Sequence, residues 1–165
     1  MIQNVAKNLI QEAVDVRASD IYLVPREDSY QLFRRVGDER LFLEDVDADE
    51  AAAVISHFKY LAGMNVGEKR RSQQGSCDYD YGDGEFPIRL SSVGDYRGRE
   101  SLVIRLLHTN DLELKFWFTE GQSLLKEITG RGLYLFSGPV GSGKTTLMYH
   151  LAKSKFQGQQ VLTIE

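Results

Sequence analysis

The sequence contains one cysteine in 165 residues. Cys77 has no partner for an internal disulfide and no CxxC neighbour for a zinc knot, so a disulfide scaffold is excluded and a reducing cytoplasm fits. It reads as a small, half-buried apolar residue. No apolar run approaches the roughly 20 residues that span a bilayer, and the start MIQNVAKNLIQEAVD lacks the apolar block of a signal peptide. A cytosolic chain without a membrane anchor of its own is expected. Positive charge is not in excess either: 20 Lys and Arg stand against 24 Asp and Glu, a net charge of −4. Sequence-blind nucleic-acid binding, which rests on clustered positive charge, is disfavoured. With 42% apolar and 27% charged residues, the composition is that of a globular chain of one or two small domains, not of a disordered or collagen-like one.

Periodicity organises what is present. Ile2, Val5, Ala6, Leu9, Ile10, Ala13 and Val14 recur at three- and four-residue spacing, which predicts an amphipathic helix packed on a core. Ile21 to Val24, Tyr30 to Val36 and Arg40 to Leu43 read as a strand and a hairpin, with Gly37-Asp38 at its turn. The acids Glu44, Asp45, Asp47, Asp49 and Glu50 read as caps and dipole partners of a helix through Val54, Ile55, Phe58 and Leu61, closed by Gly63. Three more strands follow: one carrying Cys77, Tyr79 and Tyr81, one carrying Phe86, Ile88 and Leu90 after the turn Gly82-Asp83-Gly84, and one over 101–107. Residues 1 to about 107 are thus an α+β domain with helices against a largely antiparallel sheet. A polar linker is expected over 108–115, then a short helical segment around 121–128. The run Gly132 to Ser137 is continuously apolar, as in a buried parallel strand.

Gly138-Pro139-Val140-Gly141-Ser142-Gly143-Lys144-Thr145 then matches the Walker A pattern G-x-x-x-x-G-K-[ST], between that run and a helical segment over 145–155. Glycines allow the backbone to turn tightly, so that N–H groups converge on phosphate oxygens at a helix N-terminus. In such a loop Lys144 reaches the β- and γ-phosphates of ATP, the Thr145 hydroxyl ligates Mg²⁺, and Thr146 is an extra donor to the α-phosphate. Hydrolysis further needs groups that organise Mg²⁺ and water. The one acid after the loop is Glu165, ending a strand over 161–164. Gly132 to Glu165 make a single βαβ unit, too small to stand alone, so the sequence is expected to be part of a longer α/β ATPase and to lack hydrolytic activity by itself.

Several motifs resemble the traffic ATPases of type II secretion, type IV pili and competence. Ala18-Ser19-Asp20-Ile21 is similar to that family's A-S-D-I, with Tyr22 where most members carry His. Arg35-Val36-Gly37-Asp38 resembles its R-x-D-G hairpin with the last two residues exchanged. Ala62-Gly63-Met64-Asn65-Val66-Gly67-Glu68-Lys69-Arg70-Arg71, continued by Gln73 and Gly75, parallels A-G-M-D-I-x-E-K-R-R-P-Q-D-G, with Ser72 and Gln74 as departures. Thr163-Ile164-Glu165 matches the start of its T-I-E-D-P box. The departures are closest to the competence branch.

The resemblance implies a PAS-like N-terminal domain over 1–107, and over 116–165 the first, incomplete part of a RecA-like ATPase domain. It implies a homohexamer at the cytoplasmic face of the cell membrane, acting on an integral membrane platform protein that builds a pseudopilus for DNA uptake. No direct nucleic-acid binding is implied. Arg89 and Arg105, which interrupt apolar stretches, match family arginines that reach nucleotide phosphates, where a guanidinium stabilises the charge on a transferring phosphoryl group. Glu165 matches an acid that organises Mg²⁺ and water. The basic run Lys69-Arg70-Arg71 fits a subunit interface or a solvated turn better than DNA. The alternative to a motor is a noncatalytic module that only holds nucleotide and binds partners.

Overall fold

The computed structural model describes residues 2–82, 84–108, 121, 123, 128, 132–139, 141–156 and 158–162. The chain divides into two compact units, Met1–His108 and Thr109–Glu165. The expected linker beyond His108, most of the segment 121–128, and the site residues Val140 and Glu165 lie outside the described residues.

In the first unit, helix α1 (Ile2–Asp15) turns Ala6, Ile10 and Ala13 inward, as its spacing requires. Strands β1 (Asp20–Pro25), β2 (Ser29–Val36) and β3 (Glu39–Asp47) form an antiparallel meander, followed by helix α2 (Ala48–Leu61). A second meander comprises β4 (Gln73–Asp80), β5 (Glu85–Gly94) and β6 (Glu100–Leu106). Pairing of β1 with β6 joins them into a six-stranded sheet of order β3-β2-β1-β6-β5-β4. Alternate residues of the strands, among them Ile21, Leu23, Ile88, Leu90, Leu102 and Ile104, share one core with the buried residues of both helices. The opposite face of this sheet is mixed, carrying Asp20, Arg35, Arg89 and Arg105 beside Tyr22, Phe33 and Val103.

The acidic stretch divides differently from expectation. Glu44 and Asp45 belong to β3, which runs on to Asp47 because its ladder with β2 continues to the pair Ser29 and Asp47. Their side chains are exposed on an edge strand, so extending the ladder buries no charge. Asp47 alone caps α2, accepting hydrogen bonds from the backbone N–H groups of Asp49 (2.9 Å) and Glu50 (3.3 Å). Such a cap contributes about 1 kcal/mol. Asp49 and Glu50 occupy the first turn, where the helix dipole favours them.

Between α2 and β4 the chain is held by side chains reaching into its backbone. Lys59 is fully buried, and its Nζ donates to the Glu68 carbonyl (2.7 Å) and to Glu100 Oε1 (2.5 Å). Gln73 Nε2 donates to the carbonyls of Asn65 (3.0 Å) and Glu68 (2.9 Å), while Gln73 Oε1 accepts from Asn65 N–H (2.8 Å). The Glu68 carboxylate accepts from the N–H groups of Arg70 and Arg71, which hold its pKa below the ordinary value. Gly94 passes beneath this loop so closely that a Cβ there would meet Lys69 O at 1.8 Å.

His57 packs edge-on against Phe58 and Tyr79, and burial lowers its imidazole pKa from the ordinary 6.5. The folded state then takes up this proton less readily than the unfolded chain, so stability falls as pH drops through the ordinary histidine value. We expect the urea midpoint to fall between about pH 7.5 and about pH 5.5, and His57→Gln to flatten that slope. An unchanged slope in the variant would assign the titration elsewhere.

The second unit contains helix α3 (Lys144–Lys155), of whose residues only Leu151 is buried. The segment 132–139 is not the buried strand its composition suggests: Leu133 and Leu135 are 95% and 86% exposed. Val161 and Leu162, expected in a second strand, are likewise exposed. A parallel strand acquires its hydrogen bonds and its burial from flanking strands and covering helices. Here, among the described residues of the segment, only Tyr134 and Phe136 line a pocket shared with Met148, Leu151 and Ala152 of α3, which leaves Leu133 and Leu135 in solvent.

Candidate functional site

The Walker A residues form a compact turn leading into α3. Gly141 (φ 81°) and Gly143 (φ 84°) adopt left-handed backbone that residues with a Cβ rarely occupy. At Gly138 a Cβ would stand 2.8 Å from Ser142 Oγ, a contact that rotation of the serine hydroxyl would relieve. Ser142 N–H donates to Pro139 O, and Leu147 N–H donates to Gly143 O, the first bond of the helix. Gly143 is the N-cap residue and contributes no side-chain hydrogen bond. The N–H groups of Lys144, Thr145 and Thr146 are in the first turn, where a helix has no acceptors of its own. Lys144 folds back across the loop, its Nζ donating to the carbonyls of Gly138 (2.9 Å) and Pro139 (2.6 Å).

Helix N–H groups, positive dipole end and ammonium together suit a polyphosphate anion in charge and donor count. Thr145 is exposed at the helix start, with its hydroxyl available to a cation brought by such an anion. Among the described residues no group of three or more His, Cys, Asp or Glu is placed to hold a metal by itself.

Arg89 and Arg105, expected site residues among those described, lie on the face of the first unit's sheet opposite its core. Arg89 and Arg105 do not break the alternation of their strands; each occupies an outward position between inward neighbours, Ile88 and Leu90 or Ile104 and Leu106. The register sets the two arginines directly opposite each other on β5 and β6. Arg105 Nε donates to Asp20 Oδ1 (3.0 Å), with Asp20 4% and Arg105 64% exposed. Ser19 Oγ donates to the other carboxylate oxygen of Asp20 (2.8 Å). The buried carboxylate thus fixes the root of an exposed guanidinium.

The same register continues through Asp20 to Arg35 and from Arg35 to Arg40, whose guanidinium sits 4.5 Å from the Tyr22 ring centroid and 4.2 Å from that of Phe33. Sequence reasoning missed the ion partner of Arg105 and the place of Arg40, because both depend on non-local pairing. It also missed Lys59, although its spacing four residues after Ile55 sets it on the apolar face of α2.

No helix among the described residues is long and apolar enough to cross a membrane. The model of the family described as type II/IV secretion system protein matches residues 1–165. The competence protein ComGA of Streptococcus pneumoniae is 59% identical over 165 residues, covering 100% of this chain and 53% of that protein. ComGA of Bacillus subtilis is 36% identical over 171 residues, covering 99% and 48%. Type II secretion system protein E of Xanthomonas campestris pv. campestris is 34% identical over 166 residues, covering 95% and 29%. The chain spans about half the length of the two ComGA proteins it matches. Among solved structures, that of the Legionella pneumophila ATPase DotB has a TM-score of 0.61 at 18% identity, covering 88% of this chain and 40% of that one, a likeness of fold.

Proposed function

Because the chain belongs to the type II/IV secretion system protein family, we propose that it is the nucleotide-binding part of an ATPase that drives a competence machinery of the secretion and pilus type. The observation that carries this reading is the loop Gly138–Lys144 at the uncapped start of α3, with the Lys144 ammonium drawn over it. In this proposal the N–H groups of the first turn receive the phosphates of ATP. Lys144 exchanges its two carbonyl acceptors for β- and γ-phosphate oxygens. Thr145 supplies a hydroxyl to Mg²⁺, which neutralises the charge on those oxygens, and Thr146 donates to the α-phosphate. Gly138, Pro139, Val140, Gly141, Ser142 and Gly143 form the cradle.

Arg89 and Arg105 are proposed as the cations that stabilise phosphoryl charge, with Asp20 setting the direction of Arg105. Glu165 is proposed to organise the metal and water. The N-terminal unit is read as PAS-like and the second as the start of a RecA-like domain. The working form is a hexamer, cytoplasmic and peripheral to the membrane, acting on an integral platform protein to build the pseudopilus of DNA uptake.

Calorimetric titration of the chain with a nonhydrolysable ATP analogue and Mg²⁺ tests the reading at its root. A saturable heat at one site per chain supports it. Absence of saturable binding by a chain whose α3 is formed overturns it.

A further inference from the structure

The register across the first unit's sheet sets five charged residues in one line on the face opposite the core: Arg40 of β3, Arg35 of β2, Asp20 of β1, Arg105 of β6 and Arg89 of β5. With strands about 5 Å apart, four arginines are thus gathered around one carboxylate. That carboxylate is already engaged, by Arg105 Nε on one oxygen and by Ser19 Oγ on the other. Arg35, Arg40 and Arg89 make no ion pair among the described residues. The remaining acids of this face belong to other rows of the ladder, Asp45 opposite Gln31, Asp78 opposite Pro87 and Asp80 opposite Glu85.

Two of these arginines are donors in waiting. Arg35 Nε is buried without a hydrogen-bond partner among the described residues, although Asp20 faces Arg35 in the ladder. A buried donor left unpaired carries its full desolvation cost. Arg40 lies over the rings of Tyr22 and Phe33, contacts that engage the flat of its guanidinium and leave the N–H edge for an acceptor. Like charges set side by side also repel. A ligand with several negative charges in a line relieves that repulsion and supplies Arg35 with its acceptor, and phosphate oxygens match the arginine fork in spacing.

We propose that this row binds an oligophosphate chain, free or as the tail of a nucleotide, with Arg35 and Arg40 as binding residues alongside Arg105 and Arg89. The proposal rests on the reading of Arg89 and Arg105 as phosphate-facing cations and adds to it two residues and a site that the first unit forms without the Walker A loop. Asp20 has a negative part in it: its charge offsets one arginine of the row, and its bond to Arg105 keeps that guanidinium from folding away.

The test uses the full chain carrying Lys144→Ala, which weakens the loop site, titrated by calorimetry with inorganic tripolyphosphate and separately with ATP, both without Mg²⁺. Arg35→Gln and Arg40→Gln are added singly. Arg70→Gln is the control, since it removes one exposed charge from the loop between α2 and β4, and circular dichroism shows that each variant is folded. Saturable tripolyphosphate binding, weakened about tenfold by either row variant and less than about twofold by the control, supports the proposal. ATP bound at least as tightly as tripolyphosphate supports it with the nucleotide tail as the source of the phosphates, and weaker binding of ATP supports it with the free chain. No saturable binding by the folded chain, equal loss from Arg70→Gln, or preference for a single-stranded oligonucleotide over tripolyphosphate overturns it. Titration of the Lys144 chain with Mg²⁺ and the ATP analogue reads the loop by itself, so a loop site without a sheet site overturns this proposal and leaves the proposed function standing.

Discussion

Lys59→Met is expected to destabilise the Met1–His108 unit by about 3–5 kcal/mol, the cost of removing one partner from a buried ion pair. Lys59 and Glu100 are 0% and 6% exposed, and their 2.5 Å contact is the ionic bond between α2 and the start of β6. Methionine fills much of the lysine's volume, so little of the loss comes from a cavity. What remains is a carboxylate without its cation in a place water does not reach, together with the Glu68 carbonyl stripped of a donor. Urea unfolding followed by circular dichroism measures the change. Lys59→Met/Glu100→Leu should recover a large part of it, because the double variant leaves no buried charge. If the single variant lost less than about 1 kcal/mol, the pair would be solvated in solution.

Lys144→Ala is expected to weaken binding of the Mg²⁺ and ATP analogue about ten- to 150-fold, the loss of a charge-assisted hydrogen bond of about 1.5–3 kcal/mol. The same ammonium now bonds only two carbonyls of the exposed loop, so the helix that follows does not depend on it. Calorimetry of parent and variant under one buffer reads the difference, with far-ultraviolet dichroism showing that α3 is retained. Undiminished affinity would place the nucleotide away from the loop. Lys144→Arg is not a conservative control, since a planar guanidinium cannot occupy the compact position of an ammonium between the Gly138 and Pro139 carbonyls.

The elements of the first unit were legible wherever one face meets the core. Ile88 and Leu90 alternate with Arg89 because β5 is buried on one side only, and α1 displays its packing in the spacing of Ala6, Ile10 and Ala13. Legibility failed at β3, an edge strand whose exposed acids look like helix caps; only the ladder with β2 distinguishes Glu44 in a strand from Asp47 at a cap. It failed again over 132–137, where a continuous apolar run suggested burial on both faces, but Leu133 and Leu135 are exposed and, among the described residues of the run, only Tyr134 and Phe136 share a pocket with α3.

At the candidate site the loop could be read from residue types alone, because its glycines and lysine act within a few residues of chain. The pairing of Arg89 with Arg105, and of Arg105 with Asp20, could not: it belongs to register between strands distant in sequence. Lys59 was visible by spacing, yet a charge inside an apolar pattern carries no sign of whether a partner such as Glu100 awaits it.

The junction of β1 with β6 is where the two halves of the first unit's sheet meet. Each three-stranded meander closes through local turns, but the seam between them unites residues 85 positions apart at Asp20 and Arg105. Closing that distance exacts chain entropy before any seam contact returns it. The seam is thus the most distant pairing in sequence as well as the middle of the finished sheet, and it holds the buried carboxylate and the exposed guanidinium together.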